Sequence, residues 1–311
     1  MIHYLKHTQI DKTRWDQCII HAVNSRVYAC SWYLDLVCPG WEALVEDDYK
    51  YVFPLTGNRK WGICYLYQPF FVQQLGLFST ELPSWPKLNE FLNAVPAKFR
   101  FIEIHLNVMN RPENSLISPE LRINHELDLI PSYETLKGNY SQNTQRNLKK
   151  AKEAGVTLKR KMEADELVTL FKENFGKKEG KLQSCHYEIM RDLIQSCQKT
   201  GKGYLLGAYS PEGILSAAAF FVMDGSRIYY LFAASAPIAR DNGAMFLLVD
   251  GFIREHSGQP LIFDFEGGND PGVGRFYKGF GATGITYPVY RVNKLPGVIV
   301  RALYLYRKLR K

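Results

Sequence analysis

Residues 261–281, Leu-Ile-Phe-Asp-Phe-Glu-Gly-Gly-Asn-Asp-Pro-Gly-Val-Gly-Arg-Phe-Tyr-Lys-Gly-Phe-Gly, carry the densest information in the chain. Leu261 to Phe265 is a short apolar run that reads as a strand. Gly267-Gly268 ends it, and Pro271 opens a short helix over 271–279. Two carboxylates, Asp264 and Glu266, stand at the C-terminal end of the strand, and Arg275, Tyr277 and Lys278 stand on the helix that follows. Either carboxylate at such a place can accept a proton. The alternative is structural: Glu266 holds the turn before Gly-Gly, and Asp264 faces Arg275 in an ion pair.

Working outward, the pattern predicts a strand at 156–160, helices at 165–175 and 186–199, and strands at 203–209, 213–222 and 227–234. A helix over 242–256 precedes the quoted strand, and a strand over 284–292 follows the quoted helix. Gly213 and Asp224-Gly225 supply hairpin turns between the three central strands. Antiparallel hairpins followed by a βαβ crossover give an α/β class with mixed sheets, not a doubly wound one. Upstream, Ser141 to Gly155 reads as a polar helix closed by Gly155, with a thin apolar stripe that suits a surface position. The earlier chain reads as a helix at 12–24, two strands at 41–56 around Asp47-Asp48, an aromatic strand-like run at 62–75, a helix over 88–95, and strands at 101–108 and 122–130. In the last, Ile123, His125, Leu127 and Leu129 share one face. This organisation predicts two lobes, 1–135 and 136–311.

At the start of the 242–256 helix the chain reads Arg240-Asp241-Asn242-Gly243-Ala244-Met245. Unpaired N–H groups and the helix dipole attract phosphate at such a place, Gly243 permits close approach, and Arg240 adds charge. A plain loop with Asp241 or Asn242 as helix cap is the competing reading.

The order β-α-α-β-β-β-α-β-α-β resembles that of a GNAT acyltransferase domain. Such domains hold the donor pyrophosphate through an Arg/Gln-x-x-Gly-x-Gly/Ala loop, and the loop at Arg240, Asn242, Gly243 and Ala244 matches it except for Met245 in the last position. The quoted stretch looks like the Asp-Phe-x-Gly-Gly and Phe-Lys-x-Gly-Phe-Gly segments of Fem-like transferases. Those enzymes attach amino acids from aminoacyl-tRNA to peptidoglycan precursors and are built from two GNAT-like lobes. The helix segment Asn143-Thr-Gln-Arg146-Asn-Leu-Lys-Lys150-Ala is similar to one of theirs, and Cys30-Ser-Trp32-Tyr33-Leu34-Asp35 falls where related proteins carry an aromatic segment. One departure matters. The lysine those enzymes use on the transition state falls at Tyr277, and Lys278 lies one position later, turned about 100° away on a helix.

The resemblance implies tandem GNAT-like lobes and an N-acyltransferase, with an acyl donor in the second lobe and an amine acceptor related to the cell envelope or a polysaccharide precursor. It implies donor contacts at Arg240, Asn242, Gly243 and Ala244, catalytic groups among Asp264, Glu266, Tyr277 and Lys278, and substrate contacts at Trp32, Tyr33, Arg146, Tyr230 and Arg275. A splayed strand at Tyr229-Tyr230-Leu-Phe-Ala233-Ala234 would supply backbone donors to the acyl carbonyl. Acyl-CoA is the first donor expected, as a co-substrate and not a bound cofactor, with aminoacyl-tRNA as the alternative. A non-catalytic binding protein that keeps the fold is a second class of reading.

Bulk properties narrow the setting. Of 311 residues 46% are hydrophobic and 23% charged, an ordinary globular balance. The six cysteines form no CxxC pair, and the seven histidines show no metal spacing, so no metal is expected and free thiols in a reducing cytoplasm are. Charges interrupt Met1 to Asp16, which predicts no secretory leader. Net charge is +8 and is placed unevenly: Arg146 to Lys161 is basic but for Glu153, and Arg291 to Lys311 holds seven basic residues and no acid. Such blocks suit phosphate-bearing partners, including tRNA. The amphipathic basic tail from Val298 predicts either a docked helix or a peripheral contact with the inner face of an anionic membrane.

Overall fold

The structure, a computed structural model, describes residues 1–111, 120–176 and 182–297. The tail helix expected from Val298 lies outside these residues. The chain forms two compact units, Met1–Arg122 with the segment from Tyr287 onward, and Ile123–Thr286. The sequence places the boundary at 135 and keeps the whole C-terminus in the second lobe. The difference comes from strand pairing between residues far apart in the chain, which local periodicity does not report.

The first unit opens with β1 (His3–Leu5) and α1 (Lys12–His21), which Asp11 caps by accepting from the Thr13 and Arg14 N–H groups. There follow α2 (Ser31–Val37), β2 (Glu42–Glu46), β3 (Tyr51–Leu55), β4 (Gly57–Lys60), β5 (Ile63–Leu66), β6 (Phe78–Ser79), α3 (Trp85–Ala94) and β7 (Phe99–His105). The turn between β2 and β3 is built without glycine: Asp47, Asp48 and Tyr49 all adopt positive φ. Aspartate tolerates that region better than most residues. Strands β1, β2, β3 and β6 form an antiparallel sheet over which Trp15, Trp41 and Phe53 are fully buried. The aromatic run at 62–75 is a strand only through Leu66, after which the chain turns at Pro69 and passes through Phe71 with φ 66°.

His105 is 9% exposed, and burial, reinforced by the Arg122 charge, lowers its pKa from 6.5 to about 4. The unfolded chain therefore takes up this proton first as pH falls. Stability supplied by the neutral ring is intact above pH 6.5 and is lost between there and pH 4, by roughly 3 kcal/mol in all. Denaturant unfolding at pH 7 and pH 4 should show this loss in the wild type and a smaller one in His105→Gln.

The second unit runs through β8 (Glu120–Asp128), whose first residues belong to the first unit, then α4 (Tyr133–Gly138), α5 (Gln142–Glu153), β9 (Thr157–Lys159), α6 (Ala164–Phe171) with a π-helical turn at Lys172–Gly176, and α7 (Ser184–Lys199). It continues with β10 (Gly203–Tyr209), β11 (Leu215–Asp224), β12 (Arg227–Ser235), a single-turn α8 (Ala239–Asn242), α9 (Ala244–His256), β13 (Ile262–Asp264), α10 (Pro271–Lys278) and β14 (Thr283–Asn293). Within this unit the strand order is β8-β13-β12-β11-β10-β9. Strand β8 pairs with β13 through Asp128, Leu127 and Glu126, which draws the expected 122–130 strand into the second unit. The last strand leaves the second unit at Thr286, and Val289 to Asn293 pair with β7 in the first. Helix α9 and the strands beneath it share a core of Phe221, Phe252, Phe263 and Leu248. Helix α5, expected on the surface, buries Thr144 and Ala151 and packs on α9. No described helix is long and apolar enough to cross a membrane.

Candidate active site

Strand β12 lies between β11 and β13, but β13 accompanies it only part of the way. Parallel pairing covers Arg227 to Tyr229 against Ile262 to Asp264 and then stops. On the other side β12 stays with β11 as far as Ser235, with a bulge: Phe220 faces Phe232 and Phe221 faces Tyr230, so Leu231 is the extra residue. A bulge leaves its residue out of the ladder and bends the strand. Beyond Tyr229 the two strands part. The cause is local sequence, since after Asp264 the backbone passes through Glu266, Gly267 and Gly268 at φ 61°, 143° and 122°. Phe265 N–H then donates to His125 O at 2.9 Å, which holds the departing chain to β8.

Asp264 builds this departure. It is fully buried, and its Oδ1 accepts from Asn124 Nδ2 at 2.8 Å and from the Glu266 N–H at 3.0 Å. Its Oδ2 accepts from Arg227 at 3.4 Å, and the same guanidinium reaches Glu126 at 2.7 Å. Asn124 Oδ1 accepts from the Gly267 N–H at 2.8 Å. The ion-pair partner of Asp264 is thus Arg227 and not Arg275, which is exposed on α10. A carboxylate with both oxygens engaged and no exposure is a frame for the turn, not the base of the expected proton transfer. Glu266, half-buried, is the carboxylate left at the opening.

Opposite the turn, α10 starts at Asp270, which caps the Gly272 and Val273 N–H groups, and it turns Tyr277 inward and Lys278 outward. The Tyr277 ring packs on Phe265 at 4.6 Å between centroids, with His125 at 5.9 Å and Tyr230 at 6.3 Å. Burial raises the Tyr277 pKa far above the ordinary phenol value, and the Glu266 and Asp264 carboxylates raise it further. The phenol therefore stays protonated and keeps a hydrogen to donate.

His125 was legible only as a member of an apolar strand face. It is 1% exposed, its Nδ1 donates to Gly267 O at 2.8 Å, and its Nε2 is buried with no hydrogen-bond partner among the described residues. It also explains the second glycine of the Gly-Gly pair, because a Cβ on Gly268 would stand 2.2 Å from Nδ1.

The junction of α8 and α9 is closed. Asn242 is buried, caps the Ala244 N–H at 3.1 Å and donates to Ser216 Oγ at 3.0 Å. Gly243 has φ 66°, and a Cβ there would lie 2.4 Å from Asn147 O on α5. Lys150 of α5 donates to Arg240 O at 3.2 Å. Met245, the departure from the loop pattern, receives a hydrogen bond on Sδ from the Tyr230 hydroxyl at 3.0 Å. Asn242, Gly243 and Ala244 are thus packing residues under α5. Of the expected donor contacts only Arg240 is exposed; Asn242, Gly243 and Ala244 are buried.

The remaining expected contacts divide. Tyr230 is buried at the strand divergence, whereas Arg146 and Arg275 are exposed on α5 and α10. In the first unit Tyr33 is fully buried, its hydroxyl donating to Phe71 O, so it is core and not a substrate contact. Trp32 packs edge-on against it at 5.3 Å and is half-buried.

The acetyltransferase (GNAT) domain model matches residues 138–278, which contain the bulged strand, its divergence and α10 up to Lys278. Among solved structures, FemX is similar over 93% of this chain and 98% of its own, with TM-score 0.63 and 16% identity. A Bacteroides thetaiotaomicron protein of unknown function covers 93% and 99% with TM-score 0.55 and 11% identity. The C-terminal domain of a protein assigned as lysylphosphatidylglycerol synthetase in Agrobacterium fabrum covers 94% and 95% with TM-score 0.50 and 12% identity. No curated protein matches the chain. At these identities the likeness is one of fold. Residues 138–278 resemble a GNAT acetyltransferase domain, and the chain shares the fold of FemX.

Proposed function

We propose that the chain is an N-acyltransferase acting at the divergence of β12 and β13, and that its donor is an aminoacyl-tRNA and not acyl-CoA. The observation that carries the first part is the placement of Tyr277, on Phe265 and beside Tyr230, where the pairing of β12 and β13 stops and Glu266 follows. The acyl carbonyl lies along the bulged strand. The acceptor amine attacks it, its carbon–nitrogen bond forms, and the Tyr277 phenol donates to the oxyanion. Glu266 takes the amine proton and returns it to the ribose hydroxyl as the ester bond breaks. Lys278, outward-facing, is assigned to the donor's phosphates and not to the oxyanion.

The buried α8–α9 junction supports the second part, since Asn242, Gly243 and Ala244 pack under α5 instead of lying open to a CoA pyrophosphate. Above it, α5 exposes Arg146, Lys149, Lys150 and Lys152, with Arg240 alongside through the Lys150 contact. Such a face suits a phosphate backbone. The six cysteines are free, which fits a cytoplasmic setting. The amine acceptor, taken from the Fem-like resemblance, is a cell-envelope precursor.

Gel-shift titration of charged tRNA across a salt series tests the donor assignment. Lys149→Ala/Lys152→Ala should weaken binding and lower the slope of log affinity against log salt by about one for each lysine. A slope unchanged by both substitutions would remove α5 from the donor site.

A further inference from the structure

The hairpin of β4 and β5 closes between Lys60 and Ile63, leaving a two-residue loop, Trp61-Gly62. Both loop residues have positive φ, 50° and 79°, the signature of a type I′ turn. That turn favours asparagine, aspartate or glycine in its first position, and a bulky side chain there is strained. Burial does not offset the strain, because Trp61 is 61% exposed. Lys60 Nζ lies 4.8 Å from the ring centroid, a contact of modest strength at an exposed site. The backbone conformation of the turn thus favours asparagine over tryptophan at this position.

The surroundings are cationic. Arg59 and Lys60 are exposed on β4. Cys64 of β5 pairs with Phe99, and Phe101 of the same strand pairs with Asn293, so β7 begins and β14 ends at the end of the sheet that bears the tip. There Arg100 and Lys294 are exposed, joined by the Lys294 N–H donating to Arg100 O at 2.7 Å. None of these four cations enters an ion pair among the described residues, in contrast to Lys98 nearby, which holds Glu42 at 2.7 Å.

We infer that this end of the first unit's sheet docks on an anionic membrane surface, with Trp61 seated at headgroup depth and Arg59, Lys60, Arg100 and Lys294 against lipid phosphates. A tryptophan with one apolar and one polar side suits the interface, and cations beside it add attraction to anionic lipid. The charge of the patch selects this occupant over an apolar protein groove. The inference is independent of the acyltransferase reading and of the basic segment from Val298, which all variants below retain.

The test is sedimentation of the full chain with vesicles of phosphatidylcholine and phosphatidylglycerol, with phosphatidylcholine vesicles as control. Wild type should sediment with the mixed vesicles only, and less as salt rises. Trp61→Asn should melt no lower than wild type, because it suits the turn, yet bind about tenfold more weakly. Arg59→Gln/Lys60→Gln should weaken binding about fivefold for each charge. A wild type that does not sediment overturns the inference. So do variants that sediment like wild type, the result expected if the tail alone binds lipid or if the tip serves a protein or glycan.

Discussion

Tyr277→Phe is expected to slow acyl transfer by about 10²–10³-fold, the usual consequence of removing one donor to an oxyanion. The substitution deletes a single hydroxyl. The ring keeps its contacts with Phe265 and Tyr230, so stability should change by less than about 1 kcal/mol. The measurement is loss of label from charged tRNA in the presence of a primary-amine acceptor. Donor affinity should be unchanged, because the phenol acts on charge that appears only in the transition state. A variant with wild-type rate would show that the phenol is a packing group and that the oxyanion is held by backbone N–H groups of the bulged strand alone. Tyr277→Lys, which restores the residue type of the Fem-like pattern, should retain more activity than Tyr277→Phe if the side chain is what touches the carbonyl oxygen.

The largest stability effect is expected at Asp264. Alanine there withdraws an acceptor from the Asn124 amide, from the Glu266 N–H and from Arg227 at once. Removing one partner from a buried charged network typically costs about 3–5 kcal/mol, because the charge left behind is uncompensated. Glu126 keeps a share of Arg227, which places the expected loss near the lower end, about 3 kcal/mol. Denaturant unfolding of Asp264→Ala checks it. A loss below about 1 kcal/mol would mean that the backbone holds the turn without the carboxylate. Glu266→Gln serves as the contrast: little change in stability, but slower transfer.

Much of the second unit was legible because its signals are local. Three strands joined by Gly213 and Gly225 turns, the Pro271 helix and the Gly267-Gly268 break each depend on residues a few positions apart, and all fell within a residue or two of the observed elements. Helical geometry gave the separation of Tyr277 and Lys278 by about 100°, but not which of the two faces inward. What escaped were matters of partners distant in sequence. Arg227, the partner of Asp264, lies 37 positions away, and Asn124 lies 140 away. The burial of Gly243 depends on α5 lying across it, and α5 has so few apolar residues that its periodicity gave no sign of what it covers. The exchange of β8 and β14 between units is of the same kind. His125 was missed because a histidine between Ile123 and Leu127 reads as one more inward residue of a strand; the only sequence signal was the pair of glycines that make room for it.

The account turns on the donor, and the most direct measurement is isothermal titration of the wild-type chain with acetyl-CoA beside titration with aminoacyl-tRNA. Helix α5 closed over Gly243 predicts no saturable heat with acetyl-CoA, and salt-sensitive binding of the charged tRNA. Micromolar binding of acetyl-CoA that Arg240→Ala abolishes would contradict it, showing that the α8–α9 junction opens to a diphosphate and that the enzyme draws its acyl group from CoA.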